Sequence, residues 1–419
     1  MASTTSWDDR SVWKASGFLR FLEQHQVDAK DLLNPSINGE SLRFFRLKQV
    51  AGTTKDDAAD LVLQSIAANL AREAAGNDVQ GATEVSPQAV PWLPGFYSLP
   101  VAAPLARVDL YRDGQLYGID ISSGFAVSLL DVRPGEHVLD LCCAPGAKLT
   151  MIADLLQLRG SVTGVDFSRP RLGACRQLVH KYQLFRRESE AKDARAWRCR
   201  LFHADGRTFN IGPKTECAHV DGMDVLLDTQ EIASRAPRDR LRKRKNKSAR
   251  ARDAKRQKLL AVDTALYDKV LVDAECTHDG SIRHLQRLDT AAKWEDYVRD
   301  HLSDSEVGRI LNLQHGLIRN GFSLLRPGGT MIYSTCSLSV KQNEDIVSSF
   351  LQDEPRAKLD PIACGDDVPC QEGKLPGTLR FTPSQNTSGL FIARLRKTAV
   401  EAPSSEQEEK SSTCTDRSA

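Results

Sequence analysis

The chain has 419 residues, with 57 Lys and Arg against 55 Asp and Glu, and 41% of its residues are hydrophobic. This length allows two or three domains and one large core, while the near-balance of charge leaves partners to be read from local patches. No stretch is apolar enough to span a bilayer, and Asp8 and Asp9 stand where a signal or transit sequence would be. Ten scattered cysteines include no CxxC pair, so the usual structural-zinc spacing is missing and no metal is expected. Free thiols in a reducing intracellular compartment, nuclear, nucleolar or cytoplasmic, are the expectation.

Residues 7–75 show helical apolar spacing in SVWKASGFLRFLEQH and DDAADLVLQSIAANLAREAAG, with RFFRLKQV as a candidate strand between them. Gly, Asn, Ser and Pro over 76–95 read as a linker, followed by RVDLYRDGQLYGID as a β-rich connector and SSGFAVSLLDV as a helix. From 137 the pattern alternates strand and helix, which implies a parallel α/β sheet. HVLDLCC, SVTGVDF, RCRLFHADG, YDKVLVDA and TMIYSTC are its strands, and TLRFTPSQNTSGLFIARLRK reads as a closing hairpin. The helices are KLTMIADLLQL, RPRLGACRQLVHKYQ, SEVGRILNLQHGLIRNGFSLL and NEDIVSSFLQ. Residues 207–266 interrupt the rhythm, with Lys and Arg dense over 235–258, and the last twenty or so residues read as a disordered tail. The domains expected are 1–95, mainly helical; 96–397, the α/β domain carrying the 207–266 insertion; and 398–419, the tail.

In an open α/β sheet, ligands bind at the carboxyl ends of the strands. The first strand ends in Asp140 and runs into Cys142-Cys143-Ala144-Pro145-Gly146-Ala147-Lys148, whose small residues let a ligand approach the backbone and a helix N-terminus. By itself this turn fits an unliganded βα loop equally well. Asp166 at the tip of the second strand can accept from both hydroxyls of a ribose, and Asp205 after the third can accept from an adenine amino group. Three successive strand-end acids favour an adenosine ligand over three helix caps. Two thiols lie at the ends of the later strands: Cys276 after KVLVDAEC, and Cys336 in Ser334-Thr335-Cys336-Ser337.

Together DLCCAPGAK, GVDFSRPRL, HADGR, VLVDAECTHDG and GGTMIYSTCS resemble the NOL/NOP/Sun family of S-adenosylmethionine-dependent RNA cytosine-5 methyltransferases, over roughly residues 90–355. The resemblance implies a Rossmann-like methyltransferase fold with a seven-stranded, mostly parallel sheet and one reversed strand. It implies S-adenosylmethionine as cofactor, held by Cys142 to Lys148, Asp166, Arg171, Asp205 and Asp273. The thiols of Cys142, Cys143 and Cys175 are themselves read as packing groups.

Carbon 5 of cytosine is a poor nucleophile. Addition of a thiolate to carbon 6 makes an enamine whose carbon 5 can attack a sulfonium methyl, after which proton loss and thiol elimination release the product. By resemblance Cys336 is that nucleophile and Cys276 assists release. Asp273 hydrogen-bonds the cytosine ring, and Lys148 positions the base or that acid. The bland alternative is that both cysteines are buried structural thiols. The family's proline before the release cysteine is replaced by Glu275, whose charge would oppose ionisation of Cys276.

The expected partner is RNA, tRNA or rRNA, bound by a monomer. Segment 235–258 can contact phosphates, serve as a nuclear localisation signal or be a solvated loop; it has no aromatic residue for base stacking. The N-terminal region either positions RNA or covers the sheet edge. A second reading of the whole chain is an inactive RNA-binding or ribosome-assembly factor that keeps the fold.

Overall fold

The computed structural model describes residues 9–33, 42–48, 63–68, 86–185, 197–214, 223–230 and 265–399. Segment 235–258, nearly all of the tail and most of the second N-terminal helical pattern lie outside the described residues.

The chain starts with two short helices, Arg10–Ser16 and Phe18–Gln24; Asp9 caps the first by accepting from the Ser11 amide. A four-stranded antiparallel sheet follows, made of β1 (Leu42–Leu47), β2 (Gln88–Ala89), β3 (Phe96–Pro100) and β4 (Leu116–Gly118) in the order β2-β3-β1-β4. It joins strands from both sides of residue 95, because β1 pairs with β3 and β4. The connector read as β-rich is corrected in part. Residues Leu105–Arg107 and Asp109–Arg112 are helical turns, and only Leu116–Gly118 is strand. Leu105 and Val108, three apart, turn the same way into the core under this small sheet, a helical and not an alternating pattern.

The large sheet holds β5 (His137–Asp140), β6 (Gly160–Asp166), β7 (Trp197–His203), β8 (Asp224–Asp228), β9 (Tyr267–Asp273), β10 (Leu325–Thr335), β11 (Ala357–Leu359), β12 (Gln371–Glu372), β13 (Leu379–Phe381) and β14 (Leu390–Lys397). Its order is β12-β13-β14-β10-β9-β5-β6-β7-β8, with β11 beside β14. Parallel pairing joins β10, β9, β5, β6 and β7, and β14 runs antiparallel to β10. The expected mostly parallel Rossmann-like sheet is therefore present, but with ten strands instead of seven. One extra strand, β8, comes from inside the segment read as an interruption; it runs antiparallel to β7 and is anchored by the buried Arg198–Asp228 ion pair. The others, β11 and β12, are three and two residues long, too short to show a period in sequence.

The central strands are buried on both faces, as their nearly continuous apolar runs require. Val138, Val162, Leu271 and Ile332 face one layer, with helices Ile121–Ser128, Ala147–Leu155 and Arg169–Lys181. Leu139, Val165, Val270, Val272 and Tyr333 face the other, with helices Asp304–Ser323 and Glu344–Asp353. Each such side chain contributes about 1.5–3 kcal/mol on burial. The N-terminal helices pack Trp13 and Phe18 against Trp294 of helix Ala291–His301, in a cluster that reaches Leu338 just past Cys336. His25 Nδ1 lies 2.6 Å from Ser339 Oγ in the same loop. Cys364 and Cys370, expected as unpaired thiols, have their sulfurs in contact in the loop before β12.

Candidate active site

Parallel register brings the motifs to one sheet edge. Ser334 pairs with Asp273, Asp140 with Gly164, and Asp166 with His203, so the strand-end residues converge on a cavity of about 530 Å³. Of the residues singled out in sequence, Cys142, Ala144, Lys148, Asp166, Arg171, Asp205, Asp273 and Cys336 line it. Gly146, at φ +111°, makes the turn into the helix that begins at Ala147, and a Cβ there would press on Cys175 Sγ at 3.2 Å. Cys143 packs in the core beside Cys175, and burial pushes both Cys142 and Cys143 thiols well up, consistent with packing thiols. Pro145 lies in the same turn.

The acids differ in state. Asp166 accepts the Ala144 amide at 3.0 Å and the Ser168 amide at 2.8 Å, which fixes its carboxylate and leaves one lone pair on each oxygen for a ligand. Arg171 donates to the Ala144 carbonyl and so braces the same turn. Asp205 is held below the usual carboxylate range by hydrogen bonds from Arg207, which takes both of its oxygens. Asp140 is fully buried, and neither oxygen has a side-chain partner among the described residues. Burial and the nearby Asp273 charge push its carboxyl up to about 8, against the pull of Lys148.

Asp273 is clamped between two donors, Lys148 Nζ at 2.7 Å and Ser334 Oγ at 2.8 Å. Burial works against the Lys148 charge, but Asp273 and Asp140 outweigh it and hold the ammonium above its ordinary value. Lys148 and Asp273 thus form an ion pair in the cavity wall.

Cys276 and Cys336 meet with their sulfurs 3.3 Å apart, Cys276 buried and Cys336 half-buried at the cavity wall. His278 Nδ1 lies 2.9 Å from Cys336 Sγ and 3.8 Å from Cys276 Sγ. At about 2.3 Å for Zn–S and about 2.0–2.1 Å for Zn–N, ligand atoms around a tetrahedral ion stand about 3.6–3.8 Å apart. The 2.9 Å contact is a hydrogen bond instead. Two sulfurs this close share one proton, and the first ionisation of the pair falls well below that of an ordinary thiol. Burial opposes it, but the sulfur–sulfur hydrogen bond and His278 outweigh burial.

The loop after β9 is tied to the loop after β10. Gln342 accepts the Thr277 amide at 3.1 Å and donates to Thr277 Oγ1 at 2.8 Å, and Asp279 accepts the Leu338 amide at 2.9 Å. Gly280 donates its amide to the Cys336 carbonyl at 3.0 Å, where a Cβ would stand 2.7 Å from that oxygen. Only glycine fits there.

Among the cavity residues that sequence reasoning missed are His278, Phe167 and Arg309. His278 and Phe167 stand inside quoted motifs but carry no motif signal of their own. Phe167, next to Asp166, is 76% exposed and gives the cavity a flat apolar face. Arg309 comes from the long helix, where one Arg among polar positions carries no signal. It engages Glu275 at 2.6 Å, so that carboxylate is neutralised away from the thiols.

Over residues 127–202 and 230–396, more than half of the chain, the sequence matches the 16S rRNA methyltransferase RsmB/F family. The chain belongs to this family. The resemblance to NOL/NOP/Sun proteins is thereby borne out. A probable ribosomal RNA small subunit methyltransferase B of Bacillus subtilis (strain 168) is 24% identical over 298 residues, covering 70% of this chain and 50% of that protein. The ribosomal RNA small subunit methyltransferase F of Cronobacter sakazakii is 28% identical over 330 residues, 75% of this chain and 52% of that protein. The chain thus spans about half the length of the curated relatives it matches. Among solved structures, a methyltransferase homologue from Pyrococcus horikoshii superposes with TM-score 0.53 at 20% identity, covering 91% of this chain and 99% of that one. NSun6 from the same organism gives 0.52 at 17%, covering 93% and 98%. These two likenesses concern the fold.

RsmB/F proteins are S-adenosylmethionine-dependent RNA methyltransferases, and the strand-end cavity fits that cofactor. It is large enough for a nucleoside-sized ligand and offers Asp166 lone pairs to hydroxyls and Phe167 to a base face. In this member both Asp205 oxygens are shared with Arg207.

Proposed function

We propose that this protein methylates carbon 5 of a cytosine in RNA through a covalent Cys336–cytosine adduct. The observation that carries the reading is the placement of Cys336 Sγ on the cavity wall, 3.3 Å from Cys276 and two residues past Ser334, which holds Asp273. The bland reading of two structural thiols fits this poorly, since a packing thiol needs neither a cavity nor a hydrogen-bonded partner sulfur.

Asp166, Arg171, Asp205 and the turn from Cys142 to Lys148 would hold S-adenosylmethionine, with Phe167 against its base. When bound, the cofactor supplies an electrophilic methyl group beside carbon 5. Cys336, as thiolate, forms a bond to carbon 6, and the ring π electrons shift toward carbon 5. Asp273, fixed by Lys148 and Ser334, hydrogen-bonds the cytosine ring and orients it for that addition. With the methyl group bonded to carbon 5, Cys276 assists the closing step: as thiolate it takes the carbon-5 proton, the carbon 6–sulfur bond breaks and its electrons return to Cys336.

Arg171, Arg207, Arg283 and Arg309 around the cavity suit a polyanion. The N-terminal helices and segment 235–258 are assigned to RNA positioning and phosphate contact. Ribosomal RNA is the first substrate class to test, since the curated relatives are named for it; tRNA is the second. The inactive-factor reading rested on Glu275, and Arg309 occupies that carboxylate. The deciding experiment compares methyl transfer to total RNA by the parent and by Cys336→Ala. Transfer surviving in the variant would sink the mechanism, and bisulfite sequencing of the methylated RNA identifies the atom and site.

A further inference from the structure

We propose that His278 is a catalytic residue of this site: its imidazole takes the proton of the Cys336 thiol, so that the nucleophile stands as a thiolate–imidazolium pair. The inference rests on Cys336 being the nucleophile. In the step, the Nδ1 lone pair binds the proton, the S–H bond breaks and its electron pair stays on sulfur. The imidazolium returns the proton to a cysteine sulfur when the adduct is resolved, so the cycle balances without another base for the thiol.

The geometry is specific. Nδ1 is 2.9 Å from Cys336 Sγ, within hydrogen-bond reach for proton transfer. His278 sits at φ +59°, in the left-handed region that few side chains adopt. That turn is held on both sides, by Gln342 at Thr277 and by the Asp279 carboxylate accepting from Leu338. Asp279 is fully buried, so the clamp does not depend on solvent. A backbone held in an unfavoured conformation by its surroundings is common where a side chain must be aimed. Lys148 is engaged by Asp273.

On its own loop Cys276 and Asp279 favour the imidazolium; across from it stands Cys336, whose thiol the hydrogen bond with Cys276 and burial hold above its ordinary value, which is why the test removes Cys276. Arg171, from helix Arg169–Lys181, opposes the charge. The Cys276 sulfur is the largest influence and, against burial, raises His278 to about 9. His284, with its ring centroid 5.6 Å away, is pressed down to about 4 by burial and by His278 itself. It is therefore neutral at pH 7 and does not compete. Tyr297 and His301 stand behind His284, and burial keeps Tyr297 protonated.

The test reads the thiolate directly. In a Cys276→Ser background, where Cys336 is the one thiol facing His278, alkylation of Cys336 by iodoacetamide is followed by peptide mass spectrometry from pH 5 to 9. The expected profile keeps Cys336 reactive below pH 7. Adding His278→Asn, a residue tolerated at positive φ, should move the midpoint toward the ordinary thiol value of about 8.5 and slow alkylation at pH 6.5 at least about 10-fold. His278→Gln is the second variant should Asn disturb folding, judged by circular dichroism. Identical midpoints with and without His278 in a folded variant overturn the proposal. In the otherwise unaltered enzyme, His278→Asn should lower kcat for RNA methylation about 100-fold at pH 7 with KM for RNA unchanged. An unchanged kcat also overturns it. Alkylation needs no RNA, so failure of this pair is separable from failure of the methyl-transfer reading, which Cys336→Ala decides.

Discussion

Glu275 points its carboxylate at Arg309, 2.6 Å away, and Arg309 is shared with Glu306 at 2.7 Å. The residue that replaces the family proline beside Cys276 therefore has a cation of its own, and its charge is largely spent before it reaches the sulfur. Removing that cation should expose it. In Arg309→Ala the alkylation midpoint of the Cys276–Cys336 pair should rise by less than one pH unit, because both partners are half-exposed and screened. The rise should shrink as salt increases. An unchanged midpoint at low ionic strength would show that Glu275 does not act on the thiols.

Cys276→Ala leaves Cys336 free to add to the base but removes the group assigned to release. RNA incubated with this variant and S-adenosylmethionine should form a protein–RNA complex that survives denaturing electrophoresis, while turnover falls. If no such complex forms although Cys336 remains alkylatable, the release role is wrong.

Asp140 supplies a pH signature of stability. Its carboxyl is raised from 3.8 to about 8 in the fold, chiefly by burial, so the native state keeps a proton that the unfolded chain has lost. Its contribution is full below about pH 4 and is lost as pH rises toward 8, by at most about 1.4 kcal/mol per pH unit. Asp140→Asn cannot ionise. Relative to the parent, the variant's denaturation midpoint should improve steadily between pH 5 and 8. Parallel pH profiles for the two proteins would mean that Asp140 is ionised in the native state.

Phe167 offers its ring beside Asp166 with nothing packed over most of it. Phe167→Ala should weaken binding of S-adenosylhomocysteine, measured by calorimetry, about 5- to 10-fold, the worth of a stacked ring of about 1 kcal/mol. The melting temperature should hardly move, since an exposed ring contributes little to the core. Unaltered affinity would remove Phe167 from the cofactor site.

Much of this protein is determined by sequence alone. Runs such as KVLVDAEC and TMIYSTC must be buried strands because they are apolar on both faces, and whatever follows them must emerge at the sheet edge. Asp140, Asp166, Asp273, Cys276 and Cys336 were legible for that reason, as was the closing hairpin that pairs β13 with β14. What followed from weak local signals was not. The strand β8 is five residues ending in acids, the turns at Leu105–Arg107 and Asp109–Arg112 resemble strand in composition, and helix Ala291–His301 shows its apolar face only against Trp13 and Phe18. Tertiary structure alone decided that His278 reaches Cys336, 58 residues away, and that Glu275 turns to Arg309, 34 residues away. Strand ends are set by short-range apolar patterning, which a sequence displays. Which side chains then touch is set by parallel register, here Ser334 on Asp273, and by clamps between loops far apart in the chain, which no local pattern encodes.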